Sequence, residues 1–263
     1  MKGAIGAALW AEGLKARRSP APALTALGAV LAPLTGAFFM AILKDPEKAR
    51  RLGLIGAKAQ IVGGAADWPT LFSLLGQATA VGGFVLFALV ATWIFGREAV
   101  DGTAKELLAL PTPREAVVAA KFGVLAFWCG GLTAIIWGLG LAAGAAVGLP
   151  GWSPGLAVRG TGDIFAAGAL TAAMATPVAF VASAGRGYLG PLGFAFLTLF
   201  LAQVVAVAGW GTLFPWSVPA LFASMAGPRA EHVTLASYTL VGLASVAGLA
   251  GTFAWWRFAD HAR

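Results

Sequence analysis

Long apolar stretches alternate with short charged ones along the whole chain. Six stretches contain no Asp, Glu, Lys or Arg: residues 19–43, 68–96, 122–158, 164–185, 187–228 and 232–256. Each can hold a helix of about 20 residues, the length that crosses a hydrocarbon core of about 30 Å. Lipid cannot satisfy backbone polar groups, so spanning segments are helices or closed barrels, and unbroken apolar runs favour helices over alternating strands. The pattern predicts an all-α integral membrane protein with six transmembrane helices.

The stretches predict a single membrane domain over residues 1–263. Two prolines, Pro215 and Pro219, interrupt residues 210–227, where a straight helix is therefore not expected. This segment is either a pair of short helices that re-enter the outer leaflet or an ordinary outer loop. Pro177 is expected to kink the fourth span. The predicted spans cover about residues 20–43, 70–95, 116–148, 161–183, 189–209 and 232–256.

Composition supports a membrane protein and limits its chemistry. Hydrophobic residues make up 59% and charged residues 11% of the chain, and its mean hydropathy is +0.82, whereas soluble domains carry about a quarter charged residues. The net charge of +7 is attributed to loops that set topology and contact lipid headgroups, not to nucleic-acid binding. The single Cys129 and two distant histidines indicate neither a disulfide nor a metal site. We also expect no ionisable side chain deep inside a span.

The distribution of basic residues predicts that both termini are cytosolic. Lys and Arg number 11 in the segments that would then lie inside and 7 in those outside, a bias typical of cytosolic loops. The first outer loop, residues 44–58, breaks the rule with five basic residues.

The charged loop at residues 96–121 is the most informative segment. Thr103 and Glu106, and again Thr112 and Glu115, have the spacing of capping boxes, and Pro113 fits the first position of the second helix. They predict a short helix at about residues 104–110 and a new helix that continues into the third span. Lys121, at the end of this charged segment, is counted as a cytosolic loop charge. A helix of two turns is not stable alone in water, so its leucines need a cover, either the bundle's own cytosolic end or a partner protein.

Two motifs resemble a known family. Gly96-Arg97-Glu98-x-x-Asp101-Gly102-Thr103, followed by Leu107-Leu108-x-x-Pro111-x-x-Arg114, is similar to the loop between helices two and three of ABC-2 type permeases, the membrane subunits of ATP-driven exporters. Trp10-x-Glu12-x-x-Lys15-x-x-Arg18-Ser19 resembles the start of that family, where an interfacial helix precedes the first span. The resemblance covers essentially the whole chain.

The resemblance implies a half-transporter in the cell (inner) membrane that exports a hydrophobic or amphipathic substrate. It would pair with a second permease chain, identical or a close paralogue, and with a dimer of ABC ATPase subunits. The chain contains no G-x-x-x-x-G-K-[ST] phosphate loop, so ATP and Mg²⁺ are expected in the partner, with no cofactor, metal or catalytic residue in this chain. The implied interfacial helix carries Trp10, Glu12, Lys15 and Arg18. The implied ATPase-coupling residues are Arg97, Glu98, Asp101, Gly102, Thr103, Lys105, Glu106, Leu107, Leu108, Leu110, Pro111 and Arg114.

Two other functions remain open from the residues alone. A membrane-embedded lipid-modifying enzyme would need clustered acidic or histidine side chains, and Asp101 with Glu98 and Glu106 comes closest. A passive channel or scaffold is the other. Gln203 in the fifth span is interpreted as a packing hydrogen bond of the bundle in preference to a substrate contact.

Overall fold

The computed structural model describes residues 2–45, 51, 65–103, 112–185, 187–223 and 233–258. This part of the chain is all-helical, and it contains six helices long and apolar enough to cross a membrane, one of them broken near its middle. The predicted all-α fold with six candidate spans is confirmed. The helices are α1 (Lys2–Arg17), α2 (Ala21–Lys44), α3 (Trp68–Val100), α4 (Arg114–Val147), α5 (Pro154–Met174), α6 (Thr176–Ala184), α7 (Leu189–Val207), α8 (Val218–Phe222) and α9 (Leu235–Phe258).

Helix α3 is the centre of the bundle. It packs against α2, α4, α5, α6, α7 and α8, and its fully buried side chains include Leu71, Leu75 and Phe87. By contrast, α2, α7 and α9 leave long apolar faces exposed, as expected where lipid or another membrane protein is the neighbour.

Helix α1 is separated from the first span by a short break. The backbone N–H and the hydroxyl of Ser19 both donate to the carbonyl of Ala16, at 3.1 and 2.9 Å, and so satisfy the end of α1. Pro20 and Pro22 then begin α2, because proline lacks the N–H that a helix start leaves unpaired. The predicted N-terminal helix is present, and its position in the membrane interface stays a prediction.

Helices α3 and α4 are longer than the bilayer requires. Their 33 and 34 residues correspond to about 50 Å each, against a hydrocarbon core of about 30 Å. The second span, predicted to end near residue 95, continues as a helix to Val100 and stops where Gly102 adopts a left-handed φ of 70°. Both helices are therefore longer than one crossing of the hydrocarbon core requires.

The last residue of α2, Lys44, which the sequence analysis counts in the loop at residues 44–58, caps the opposite end of α4. The Lys44 ammonium donates to the carbonyl of Val147 and, at 3.0 Å, to that of Gly148. A cation at a helix C-terminus satisfies free carbonyls and the helix dipole, which gives one of the five basic residues of this loop a structural role. Residues 46–50 and 52–64, which hold most of the others, lie outside the described residues.

The fourth span is broken beside Pro177, as the sequence predicts. Helix α5 ends at Met174 and α6 begins at Thr176. Pro177 has no N–H that could donate to the carbonyl of Ala173. The Thr176 hydroxyl lies within donating distance of that carbonyl instead, at 2.9 Å, and also 2.9 Å from the carbonyl of Ser245 in α9. Helix α9 packs onto this break through Gly248, where an added Cβ would lie 2.5 Å from the backbone of Thr176 and Pro177.

One long helix, α7, occupies the ambiguous apolar stretch 187–228. After it, a 3₁₀ turn (Gly211–Leu213) and α8 replace a straight helix, and the Ser217 hydroxyl donates to the carbonyl of Gly211 at 2.6 Å. Residues 224–232 lie outside the described residues, and re-entry of this segment into the membrane stays a prediction. Gln203 is exposed on α7 and its amide makes no hydrogen bond within the described chain, so its expected bond within the bundle is not made there.

Candidate functional site

Four charged side chains from three helices meet at the end of the bundle from which the loop leaves. They are Glu12 and Lys15 of α1, Glu98 of α3 and Lys121 of α4, together called the charge cluster below. The Lys121 Nζ lies 2.5 Å from Glu98 Oε1 and 3.0 Å from Glu12 Oε2. The Lys15 Nζ lies 2.6 Å from Glu12 Oε1 and 3.3 Å from Glu98 Oε1. Each carboxylate thus faces both ammonium groups.

Lys121 is the centre of the charge cluster and is fully buried, with 0% exposure. An ammonium has three protons to donate, and Lys121 uses them on Glu12, Glu98 and the carbonyl of Ile94, 2.9 Å away. A buried charge is tolerated only when it is paired and hydrogen-bonded. Because two acids meet two bases, the charge cluster is neutral overall and meets this condition.

Glu98 lies farther from the start of α3 than a hydrocarbon core is thick. Glu98 follows Trp68, at the start of α3, by 30 residues, which is about 45 Å along a helix and exceeds the core thickness of about 30 Å. Glu98 and Lys121 both lie within candidate spans, towards the ends that the loop joins. The expectation of no ionisable side chain deep inside a span stays a prediction.

The two α1 members are held in their charged forms. Burial works against ionisation of Glu12, but the ammonium groups of Lys121 and Lys15 outweigh it and lower the pKa of Glu12 below its ordinary value. Burial likewise opposes the charged form of Lys15, while the hydrogen bond and charge of Glu12 and the charge of Glu98 outweigh it and raise the pKa of Lys15. At neutral pH both side chains are ionised.

The glycine of the Gly96-Arg97-Glu98 motif has a packing role. An added Cβ at Gly96 would lie 3.3 Å from the ring of Tyr188, which precedes α7. The absence of a side chain lets the turn between α6 and α7 approach α3 two residues before Glu98. The pKa of Tyr188 is raised by burial and by the nearby Asp101 carboxylate, so this ring remains a neutral packing group.

Other charged residues of the loop motif make local contacts. Arg97 pairs with Asp101 at 2.9 Å and stacks over the Trp93 ring at 5.0 Å. Arg114 Nη1 donates to the carbonyl of Trp256 at 3.3 Å, which ties the start of α4 to the end of α9. Gly102 and Thr103 form the turn that ends α3.

The predicted short helix itself cannot be compared, because Lys105, Glu106, Leu107, Leu108, Leu110 and Pro111 lie outside the described residues. The second predicted capping box is wrong. Pro113 has an extended ψ of 133° and occupies the N-cap, no side chain caps this end, and α4 begins at Arg114. Proline offers no side-chain acceptor, and the shift by one residue removes Thr112 from the capping position.

Sequence reasoning missed the charge cluster. Lys121 was expected as a cytosolic loop charge, but it lies two turns inside α4 and is buried. Glu98 was expected beside an exposed docking surface, yet only 4% of it is exposed. The available signal was the position of Lys121 inside the predicted third span, together with Glu12 and Glu98 in the two motifs. The hydrophobic pattern does not indicate that α1 packs on α4 and that Lys15 reaches Glu98 of α3.

The chain with this six-helix arrangement matches a known family of membrane proteins. The family described as "ABC-2 family transporter protein" matches residues 8–202, well over half of the chain, and the chain belongs to this family. The match includes α1 from residue 8 onwards, the loop motif and the charge cluster. Membership makes the chain a multi-pass membrane permease of an ABC transporter and implies an ATPase partner.

One curated relative supports this assignment. The chain is 28% identical over 168 residues to a "Bacitracin transport permease protein BCRB" of Bacillus licheniformis, covering 62% of this chain and 81% of the relative. No solved structure matches the chain.

Proposed function

We propose that the chain is the membrane subunit of an ABC exporter and that the charge cluster transmits movement of the loop at residues 101–113 to the bundle. The observation that carries the proposal is the sharing of Lys121 by Glu12 and Glu98. Glu98 lies in the last turn of α3, directly before the loop. A displacement of the loop therefore has to carry α1 and α4 with it or break buried ion pairs.

The energetic cost favours movement as a unit. Removing a partner from a buried ion pair costs about 3–5 kcal/mol, whereas an exposed pair is worth about 1 kcal/mol or less. The charge cluster is buried, while the pair between Arg257 and Glu115 is exposed and spans 3.5 Å. The firm connection of the loop is thus to α1, α3 and α4, and the connection to α9 is weaker.

The proposed docking element is the short helix expected at residues 104–110, with Leu107, Leu108 and Leu110 seated on the ATPase subunit. This segment is bounded by the turn at Gly102 on one side and by Pro113 on the other. Arg97, Asp101, Lys105, Glu106 and Arg114 would surround the leucines, and Pro111 would end the helix. ATP and Mg²⁺ act in the ATPase.

The proposed orientation places both termini in the cytosol and α1 in the interface of the inner membrane. Trp10 is 72% exposed on α1, and an amphipathic ring of this kind prefers the headgroup level. A second permease chain would complete the transporter. The exposed face of α7, which includes Phe196, Phe200 and Gln203, is consistent with contact with that chain.

The proposed substrate is hydrophobic or amphipathic. Bacitracin is the first compound to test, because it stands in the name of the relative. Loss of protection against bacitracin in cells that lack this chain, restored by its return, would support that choice; unchanged sensitivity would direct the search to other amphiphiles.

The test of docking uses two paired variants of the leucines. Leu107→Asp with Leu108→Asp removes the apolar surface, and Leu107→Met with Leu108→Met preserves it. We expect the wild type and the methionine variant to co-purify with the ATPase subunit and the aspartate variant to lose it while remaining in the membrane fraction. Retention of the ATPase by the aspartate variant would refute docking through this helix.

The test of transmission separates binding from coupling. Glu98→Gln removes one charge of the charge cluster without touching the leucines. We expect this variant to retain the ATPase but to hydrolyse ATP with little or no stimulation by substrate. Stimulation equal to that of the wild type would refute transmission through the charge cluster and leave docking untouched.

A further inference from the structure

A long apolar groove of about 660 Å³ lies between α1, α2 and α4. This volume is within the range of about 300–1,000 Å³ that is usual for small-molecule sites. The groove opens outwards, since Phe127 on its edge is 86% exposed. Among its walls are Leu9, Ala16, Ala26, Val124, Phe127 and Ile135.

Among the residues that the structure describes, no polar group in the interior of the groove is free to bind a ligand. The indole N–H of Trp128, on its floor, donates to the hydroxyl of Thr25 at 3.1 Å. Gly131 faces open space, because an added Cβ there would meet no atom within 4 Å. The groove is therefore suited to a flexible hydrocarbon chain.

Arg17 is the charged residue that lines the groove. It is the last residue of α1, four residues before the first span begins, and so lies at the membrane surface in either orientation of the chain. Its exposed guanidinium makes no ion pair or side-chain hydrogen bond with the described residues. Lys15, two residues earlier, instead pairs with the two glutamates of the charge cluster.

We propose that this groove binds an anionic phospholipid, with an acyl chain between α2 and α4 and the phosphate at Arg17. A guanidinium presents paired donors to phosphate oxygens, and basic pockets between membrane helices bind acidic headgroups. An apolar groove with the Arg17 guanidinium at one end matches a lipid that is apolar along its length and anionic at its headgroup. The inference rests on the membrane position of the helices and is independent of the ATPase.

The groove is tested by a pair of neighbouring glycines. Gly130 and Gly131 are exposed on α4 and have open space at their Cβ positions, but Gly131 lines the groove. The purified chain in detergent is titrated with phosphatidylglycerol, and the bound fraction is read by native mass spectrometry. Gly131→Leu should weaken binding at least tenfold, and Gly130→Leu should leave it unchanged. Equal binding by the two variants would overturn the location.

The headgroup is tested by a matched pair of arginines. Arg17→Ala should lower the affinity for phosphatidylglycerol about fivefold, the effect of one basic side chain near an anionic headgroup, whereas Arg18→Ala, which faces a different cleft, should change it less. Phosphatidylcholine should bind the wild type more weakly than phosphatidylglycerol and should be insensitive to Arg17→Ala. Equal affinity for the two lipids, or equal effects of the two arginine variants, would overturn the proposal.

Discussion

Replacement of Lys121 by methionine tests the energetic role of the charge cluster. The substitution keeps the length and apolar stem of the side chain but removes the ammonium that lies within 3.0 Å of both Glu12 and Glu98. Lys15 alone then faces two buried carboxylates, and the net charge of the charge cluster becomes −1. Because Lys121 is fully buried, we expect destabilisation of about 3–5 kcal/mol.

The assay is thermal unfolding of the purified chain in detergent, followed by tryptophan fluorescence. For a chain of this size 1 kcal/mol corresponds to about 2–4 °C, so the midpoint of unfolding should fall by roughly 6–20 °C. The control is Arg257→Met, which removes a cation from an exposed pair with Glu115 at 3.5 Å and should lower the midpoint by only a few degrees.

A double variant shows whether charge balance is the cause. Lys121→Met with Glu98→Gln leaves Glu12 paired with Lys15 and restores neutrality. We expect it to be more stable than Lys121→Met alone, with a coupling between the two sites of at least about 1 kcal/mol. A midpoint for Lys121→Met equal to that of Arg257→Met, or additive effects in the double variant, would refute the reasoning.

Three further outcomes are expected. Gly248→Ala should destabilise the chain by about 1–3 kcal/mol, because its Cβ would lie 2.5 Å from the backbone of Thr176 and Pro177. Gly242→Ala on the same helix has open space and should be neutral or stabilising in the same unfolding assay. Equal effects of the two substitutions would contradict the close crossing of α9 and the break in the fourth span. The pKa of Glu12 is lowered from 4.5 in the folded chain, so its stabilising contribution is present above pH 4.5 and is lost as the pH falls through its folded pKa. The unfolding midpoint of the wild type should therefore decline more steeply from pH 5 to pH 3 than that of Glu12→Gln. Parallel profiles of the two proteins would exclude this contribution. Lys44→Met should cost about 0.3–1 kcal/mol by uncapping α4, and an unchanged midpoint would show that the cap is unimportant.

The sequence predicted those features that depend on a single helix. Unbroken apolar stretches are sufficient to indicate where a helix can cross lipid, and a proline without an N–H is sufficient to place the break beside Pro177. Helix ends outside the membrane were less predictable, because α3 continues to Val100 through residues that are polar enough to be a loop. Its end is marked by Gly102, whose left-handed φ is a local property of the turn.

The charge cluster could not be predicted in the same way, because it depends on how three helices pack. Glu12, Glu98 and Lys121 lie on three different helices, and nothing in the local sequence of any one of them points to the other two. Glu12 and Glu98 occur in the two separate motifs that carry the family resemblance. Both contact the same lysine because α1 and α3 each pack against α4, an arrangement that the hydrophobic pattern does not specify.

The central claim is that this chain is a permease driven by a separate ATPase. The most direct measurement is ATP hydrolysis by the purified chain alone, and by the complex isolated with its ATPase, after both are reconstituted into lipid vesicles. We expect a complex with equal numbers of the two subunits that hydrolyses ATP, and no hydrolysis by the chain alone. A chain that purifies without the ATPase from cells that express both, and that transports or conducts without nucleotide, would contradict the account.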